Sequence, residues 1–434
     1  GVGNFGFRNS NPQYTLDVAG DINLNATSSI YMNSLRVFNA SSTNYSVSAG
    51  TQAGNSLNNE GFYNTYLGYQ AGYNATSSDS NVGIGYWSLN SSYLSGSGNV
   101  AVGNEALSSD TSGYSNVAVG HSALKANTTG YSNNALGYEA LKANTTGYFN
   151  LAIGGAALYS NTTGSVNLAI GGSVLRSNTS GQYNIGIGYG SLYDTTIGNG
   201  NVAIGYESSR YNSSATSTTL IGHYAGRGIN SGYNAGELTA LGAYSLYSLQ
   251  TGAEDNTALG YRAGYNVTTG ANNIFLGYQS GESLTTGSKN IVIGYDIDTP
   301  AVDSTNTLNI GNVLFGTGLT GSGTSIAGNI GIATSTPGGT YGEKLTVVGG
   351  AYITGGATTT ALRVSSLNVN GDDITDITGT GLTITNGALS VQGFALSGAT
   401  GAWETAWENA LTPTSTTAGI FVNASSTFNS TLRV

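Results

Sequence analysis

The chain has 434 residues, a formal net charge of −10 and no cysteine, and only 8% of its residues are charged, against roughly 25% in an average soluble domain. These values exclude disulfides and thiolate chemistry. The twelve Lys and Arg lie scattered, which leaves no basic stripe for nucleic acid, and no apolar run approaches the roughly 20 residues that cross a bilayer as a helix. With 39% hydrophobic and 10% aromatic residues there is apolar surface to bury, so an ordered chain is expected.

Gly, Asn, Thr, Ser and Tyr abound among short Val/Ile/Leu clusters, which predicts strands joined by tight turns and a nearly all-β fold. Residues 1–60 read as an N-terminal β-rich fibre module. It contains "NPQYTLDVAGDI" (Asn11–Ile22), with Pro, then Leu-x-Val, then Gly, followed by Leu35-Arg36-Val37. The chain starts at Gly1 and stops at Val434 within an expected strand, which reads as a piece of something longer.

Residues 61–311 repeat. An Asn-x-small-aliphatic-Gly unit closes at Gly68, Gly85, Gly103, Gly120, Gly137, Gly154, Gly171, Gly188, Gly205, Gly222, Gly242, Gly260, Gly277, Gly294 and Gly311. Eleven of the fourteen intervals between these fifteen glycines are 17 residues. A unit this short cannot enclose a core, so each must stack on its neighbours, and the reading is a parallel β-solenoid of about fifteen 17-residue coils. With strands ~4.8 Å apart the rod would be roughly 70 Å long.

Several columns follow from that period. The residue before each glycine is Leu, Ile or Val in all fifteen units, including Val119, Ile170 and Ile293, and is expected to be buried. The residue before that is usually small, as at Ala118 and Ala169, so large, small, large marks a strand. A second strand or bend is expected at Ala-Leu pairs such as Ala123-Leu124, and turns at Asp110, Asn127, Asn144, Asn161 and Asn178. Asn99, Asn116, Asn133, Asn150, Asn167, Asn184 and Asn201 all stand four residues before the glycine, as an amide ladder would require. Tyr recurs directly after it, as at Tyr69, Tyr86, Tyr189, Tyr206 and Tyr278, predicting an aromatic ladder. Lys125 and Lys142 share a column and must point outward, because stacked like charges repel.

Residues 312–399 resemble the N-terminal module: "TPGGTYGEKLTVVGGAYI" (Thr336–Ile353) again carries Pro, Leu-x-Val and Gly, and Leu362-Arg363-Val364 repeats a second signature found also at Leu432-Arg433-Val434. "GLTITNGALSV" (Gly381–Val391) predicts a hairpin around Asn386-Gly387. Residues 400–434 are expected to hold one short helix and the truncated start of another β module. In "GAWETAWENALTP" (Gly401–Pro413) Trp403, Trp407 and Leu411 fall at i, i+4 and i+8, a stripe expected to pack against copies of the same chain.

Catalytic signals are weak. His121 and His223 stand in the Tyr column and read as ladder members, with no partner carboxylate or serine in view. No HExxH or P-loop occurs, and G-x-G fragments lack a strand-to-helix context. Asp296/Asp298 and Asp372/Asp373 read as solvated turns rather than Ca²⁺ ligands, since neither fits an EF-hand. Asn-x-Ser/Thr triplets at Asn25, Asn39, Asn74, Asn127, Asn144, Asn161, Asn266 and Asn423 are explained first by turn chemistry. No catalytic residue, metal site or cofactor is therefore assigned. A ligand loop is expected where the period lengthens to twenty residues, between Gly222 and Gly242, at Arg227, Asn230, Tyr233, Asn234 and Glu237.

Units such as "NVAVGHSALKANTTGYSNNALGYEAL" resemble the head repeats of YadA-type trimeric autotransporter adhesins and, still more, the repeats of bacteriophage-type tail fibres and large bacterial surface fibres. The flank "YTLDVAGDI" is similar to segments that precede such repeats. The resemblance covers about Phe62 to Gly311 strongly and the flanks moderately, although the 17-residue unit is longer than the adhesin repeat. It implies a left-handed β-roll in which three chains form a homotrimeric rod, displayed at a cell surface or on a virion. The expected function is a non-enzymatic structural or adhesive fibre, with itself and a cell-surface or glycan ligand as partners. The alternatives are a phage or prophage receptor-binding tail fibre and, with less in its favour, a solenoid carbohydrate-active enzyme, which would need clustered acids on one face.

Overall fold

The structure is a computed structural model. It describes side chains at residue 38 and over residues 44–56, 61–91, 93–229, 232–320, 328–338 and 344–348, and backbone also in short strands before residue 42 and after residue 366. Contacts divide the chain into two compact units, Gly1–Ala351 and Tyr352–Val434.

Most of the first unit is a parallel β-solenoid. Each coil contributes one strand of three residues, such as Val117–Val119, Asn134–Leu136, Leu151–Ile153 and Leu168–Ile170. They stack in register, with Ala118 opposite Ala135, then Ala152, then Ala169. Ser46–Ala49 adds a coil ahead of the fifteen counted units, and Leu308–Ile310 ends the parallel run. The rest of the coil is turn, bonded to the next coil in its own right. The Leu124 amide donates to the Ala140 carbonyl and the Thr128 amide to the Thr145 carbonyl, each at 3.0 Å. The Ala-Leu segment is thus a buried bend and not a second strand.

Large-small-large does mark the strand, but its faces are the reverse of expectation. The middle, small residue points inward: Ala101, Ala118, Ala152 and Ala169 are fully buried. The aliphatic residues on either side point out; Val119 and Ile170 are half-buried, and Leu136 is 49% exposed. The cause is volume. The interior is already filled by the leucine four residues past the glycine, as at Leu107, Leu124, Leu141 and Leu158, all fully buried, and close packing leaves the strand room for only a methyl group. Three coils exchange the two sizes: Tyr66, Leu220 and Phe275 fill the strand position where Gly72, Gly226 and Gly281 stand in place of leucine.

The repeat glycines make the corner after each strand. Gly137 has φ 144°, and a Cβ there would lie 2.6 Å from the Gly154 carbonyl oxygen of the next coil, so conformation and proximity both demand glycine.

Both ends of the parallel run continue into antiparallel strands. Leu35–Ser41 pairs with Ser46–Ala49 at one end and Leu314–Thr317 with Leu308–Ile310 at the other, so neither terminal coil offers a bare edge. The two flanks share a small parallel pair: Phe5–Phe7 with Leu16–Val18, and Asn329–Ile332 with Leu345–Val347. Leu35-Arg36-Val37 opens a strand; Leu362-Arg363-Val364 and Leu432-Arg433-Val434 lie outside the described residues.

In the second unit Leu382–Thr385 and Ala388–Val391 form the expected hairpin around Asn386-Gly387. The expected helix over Gly401–Pro413 is instead an antiparallel pair, Trp403–Trp407 with Ala410–Pro413, bulged between Thr405 and Trp407. A spacing of four residues belongs to both the helical and the strand period, and Trp and Thr favour strands. The packing expected of Trp403, Trp407 and Leu411 lies outside the described side chains. No helix occurs among the described residues, and none is long and apolar enough to cross a membrane.

Candidate functional site

The two polar columns inside the solenoid are structural. Asn99, Asn116, Asn133, Asn150, Asn167, Asn184 and Asn201 are buried. The Asn116 amide donates to Asn99 Oδ1 at 3.0 Å, and the step recurs up to Asn201 on Asn184 Oδ1 at 3.1 Å. Each Asn Nδ2 also holds a glycine or alanine carbonyl, as Asn150 holds Gly164 at 2.9 Å. The Thr218 amide makes the last step of this run by donating to Asn201 Oδ1, and Leu238 interrupts the column until Asn256. A second buried ladder runs through the expected turn residues Asp110, Asn127, Asn144, Asn161 and Asn178. Asn144 Nδ2 donates to Asn127 Oδ1 at 2.8 Å and to the Gly147 carbonyl at 3.0 Å. Its signal was the fixed offset of NTTG within the period. Burial removes Asn127, Asn144 and Asn161 as glycosylation acceptors.

Asp110 heads that second ladder with a carboxyl where the following coils carry an amide. Burial pushes its pKa up to about 8, against partial relief from the Asn127 side chain and the Gly113 backbone.

The lengthened coil between Gly222 and Gly242 divides the expected loop residues. Tyr233 is only 4% exposed, and its hydroxyl donates to the Gly226 carbonyl at 2.5 Å. It fills the coil interior beside Gly228, where a Cβ would strike its ring, so it is a core residue and not a ligand contact. Arg227 is bound into the framework: Nε pairs with Glu207 Oε2 at 2.8 Å, Nη2 reaches the Tyr211 hydroxyl at 3.2 Å, and the group stacks on Tyr211 and Tyr224. Asn230 lies outside the described residues. Asn234 and Glu237 are exposed and line an open cleft with Ser214, Thr216, Glu254 and Asp255. A hydrogen bond that protonated Glu237 gives to Asp255, and repulsion between the two carboxylates, hold Glu237 above the usual carboxylate range. No group of three His, Cys, Asp or Glu among the described residues is placed to hold a metal. The carboxyl of Asp298 is used by the Ser283 amide at 2.9 Å.

Outside, two side-chain columns run along the coils. Directly after the glycine, Tyr69 stacks on Tyr86 at 5.4 Å, Tyr189 on Tyr206 at 5.7 Å and Tyr278 on Tyr295 at 5.0 Å. His121 and His223 occupy places in the same stack, 5.3 Å from Tyr138 and 5.4 Å from Tyr206. Five residues after the glycine, cations and aromatics alternate: Lys142, Tyr159, Arg176, Tyr193 and Arg210 lie within cation–π distance of one another in turn. Acids two residues after the glycine flank this column. Glu105 pairs with Lys125, Glu139 with Lys142, and Glu207 with both Arg210 and Arg227. Lys125 and Lys142 do point outward, and their mutual repulsion is relieved by these carboxylates.

Comparison with protein-family models, with curated proteins and with solved structures finds no match for this chain.

Proposed function

We propose that this chain is a non-enzymatic structural and adhesive fibre protein, displayed outside the cell, in which three identical solenoids associate as a left-handed β-roll along their strand faces. The observation that carries this reading is the continuous apolar stripe on the outward side of the strands. Leu67, Ile84, Leu136, Leu241, Leu259 and Leu276 are each 36–49% exposed, and Val119, Ile153, Ile170 and Ile204 fill the same column. Soluble monomers rarely leave a contiguous apolar strip of this length open. A coil repeat places identical residues at one height in every copy, so the stripe is self-complementary in any closed ring of chains.

The adhesive part of the reading rests on the exposed tyrosines and on the cleft around Asn234 and Glu237, and it draws on the resemblance of the repeats to surface-fibre repeats. The test of assembly is light scattering on the full chain. Three times the 44.0 kDa chain mass is the expected result, and a stable monomer at micromolar concentration would overturn it.

A further inference from the structure

Every cation in the column five residues after the glycine has a carboxylate partner except one. Lys125, Lys142, Arg210 and Arg227 are paired as above. Arg176 has none, and none of its guanidinium donors makes a hydrogen bond within the described residues. Its partners are two rings only, Tyr159 at 5.0 Å and Tyr193 at 5.7 Å from the guanidinium carbon. The neighbouring columns show why. Lys142 and Arg210 meet a glutamate three residues before them, and Arg227 meets one in the preceding coil. Around Arg176 the corresponding places hold Ser173 and Ala156. Each is too small or too neutral to answer a charge. The chain carries a net charge of −10, yet leaves this guanidinium unneutralised.

We infer that Arg176 is the anchor of a binding site for an anionic group on a polysaccharide, a uronate carboxylate or a sulfate ester. Tyr159 of the preceding coil and Tyr193 of the next flank the guanidinium, their ring centroids 5.0 and 5.7 Å from its carbon. That fixes the fork and leaves its N–H edge for a planar or tetrahedral oxyanion, the geometry in which arginine binds two oxygens at once. The exposed tyrosines of the column directly after the glycine, Tyr138 and Tyr189 among them, present amphipathic rings that suit a sugar bearing several hydroxyl groups. Ala156 and Ser173 carry no charge that would compete for the guanidinium. The column belongs to the turn segment beyond each glycine corner, not to the strand stripe proposed to join the chains. The inference deepens the adhesive reading but does not depend on trimer formation.

The test is calorimetric titration of the full chain with oligogalacturonate, with a sulfated dextran oligomer, with neutral dextran and with oligoglutamate, with assembly state followed separately by light scattering. At least one of the two anionic glycans is expected to bind at one site per chain, with neutral dextran inert and oligoglutamate weaker; which of the two binds identifies the oxyanion. Arg176→Gln should weaken that binding about tenfold or more. Ser173→Glu should do the same by supplying the glutamate that the neighbouring coils carry, while melting stays unchanged. Absence of binding to both anionic glycans, undiminished binding in either variant, or equal affinity for oligoglutamate would overturn the proposal. A chain that binds as expected yet stays monomeric would leave this site standing and sink only the assembly.

Discussion

The ring of Phe275 occupies the space that Gly281 leaves empty. In most coils a leucine six residues after the inward strand position fills the interior, as Leu107 does after Ala101 and Leu124 after Ala118. Where the strand position is Phe275, the later position is glycine, and a Cβ on it would overlap the ring. The pairs Tyr66 with Gly72 and Leu220 with Gly226 repeat the exchange, the closest Cβ approaches being 2.5 and 2.7 Å. In these three coils the bulk has moved from the later position to the strand.

A double-mutant cycle on that pair should show strong coupling. Phe275→Ala alone should cost about 3–5 kcal/mol through a cavity, and Gly281→Leu alone about 1–3 kcal/mol through overpacking. Together they recreate the commoner coil and should cost at least about 1 kcal/mol less than the sum. Denaturant melts measure this, and simple additivity would show that the two sites do not share space.

Ala169 and Ile170 are neighbours with opposite fates. Ala169→Asp places a carboxylate in the closed interior and should destabilise the chain by several kcal/mol. Ile170→Asp lies on the outward stripe, so the single chain should keep its fold to within about 1 kcal/mol while assembly is lost. Circular dichroism melts paired with light scattering separate the two, and equal loss of secondary structure in both variants would contradict the assignment of faces.

Asp110 makes stability depend on pH. Its folded pKa is pushed up to about 8 from an ordinary value of 3.8. Below the ordinary value both folded and unfolded chains are protonated and the full stability is present. As pH rises from there, the unfolded chain releases a proton that the folded chain retains, so stability falls by up to about 1.4 kcal/mol per pH unit and levels off only above the folded pKa. Asp110→Asn supplies the amide found at Asn127 in the next coil and should abolish this slope and raise the melting temperature at neutral pH. An unchanged slope in that variant would assign the pH dependence elsewhere.

Within the lengthened coil, Tyr233→Ala should cost about 3–5 kcal/mol, because it empties a filled interior. Asn234→Ala next to it should change stability by less than about 0.5 kcal/mol. Chemical denaturation distinguishes them. Similar small effects would return Tyr233 to the surface, where the sequence pattern alone had put it.

The period, the all-β class and the amide ladder are properties of the sequence by itself. They come from recurrence at 17 residues, and identical residues in identical coils must meet. The Asn99-to-Asn201 column and the Tyr stack needed only that count to be placed. Orientation within a coil is different. Leu107 and Leu124 sit at φ 51°, a left-handed conformation unfavourable to leucine by about 1–2 kcal/mol and held only because their side chains close the interior. That choice turns Ala118 inward and Val119 outward, and no local propensity announces it. The same holds for Tyr233, whose burial depends on Gly228 and Gly226 beside it, and for Trp403 and Trp407, whose spacing fits helix and strand alike until backbone pairing with Ala410–Pro413 decides. Arg176 became distinct only when the neighbouring coils were laid against it, because an unpaired charge is a relation among side chains from three turns of the chain and not a property of any one of them.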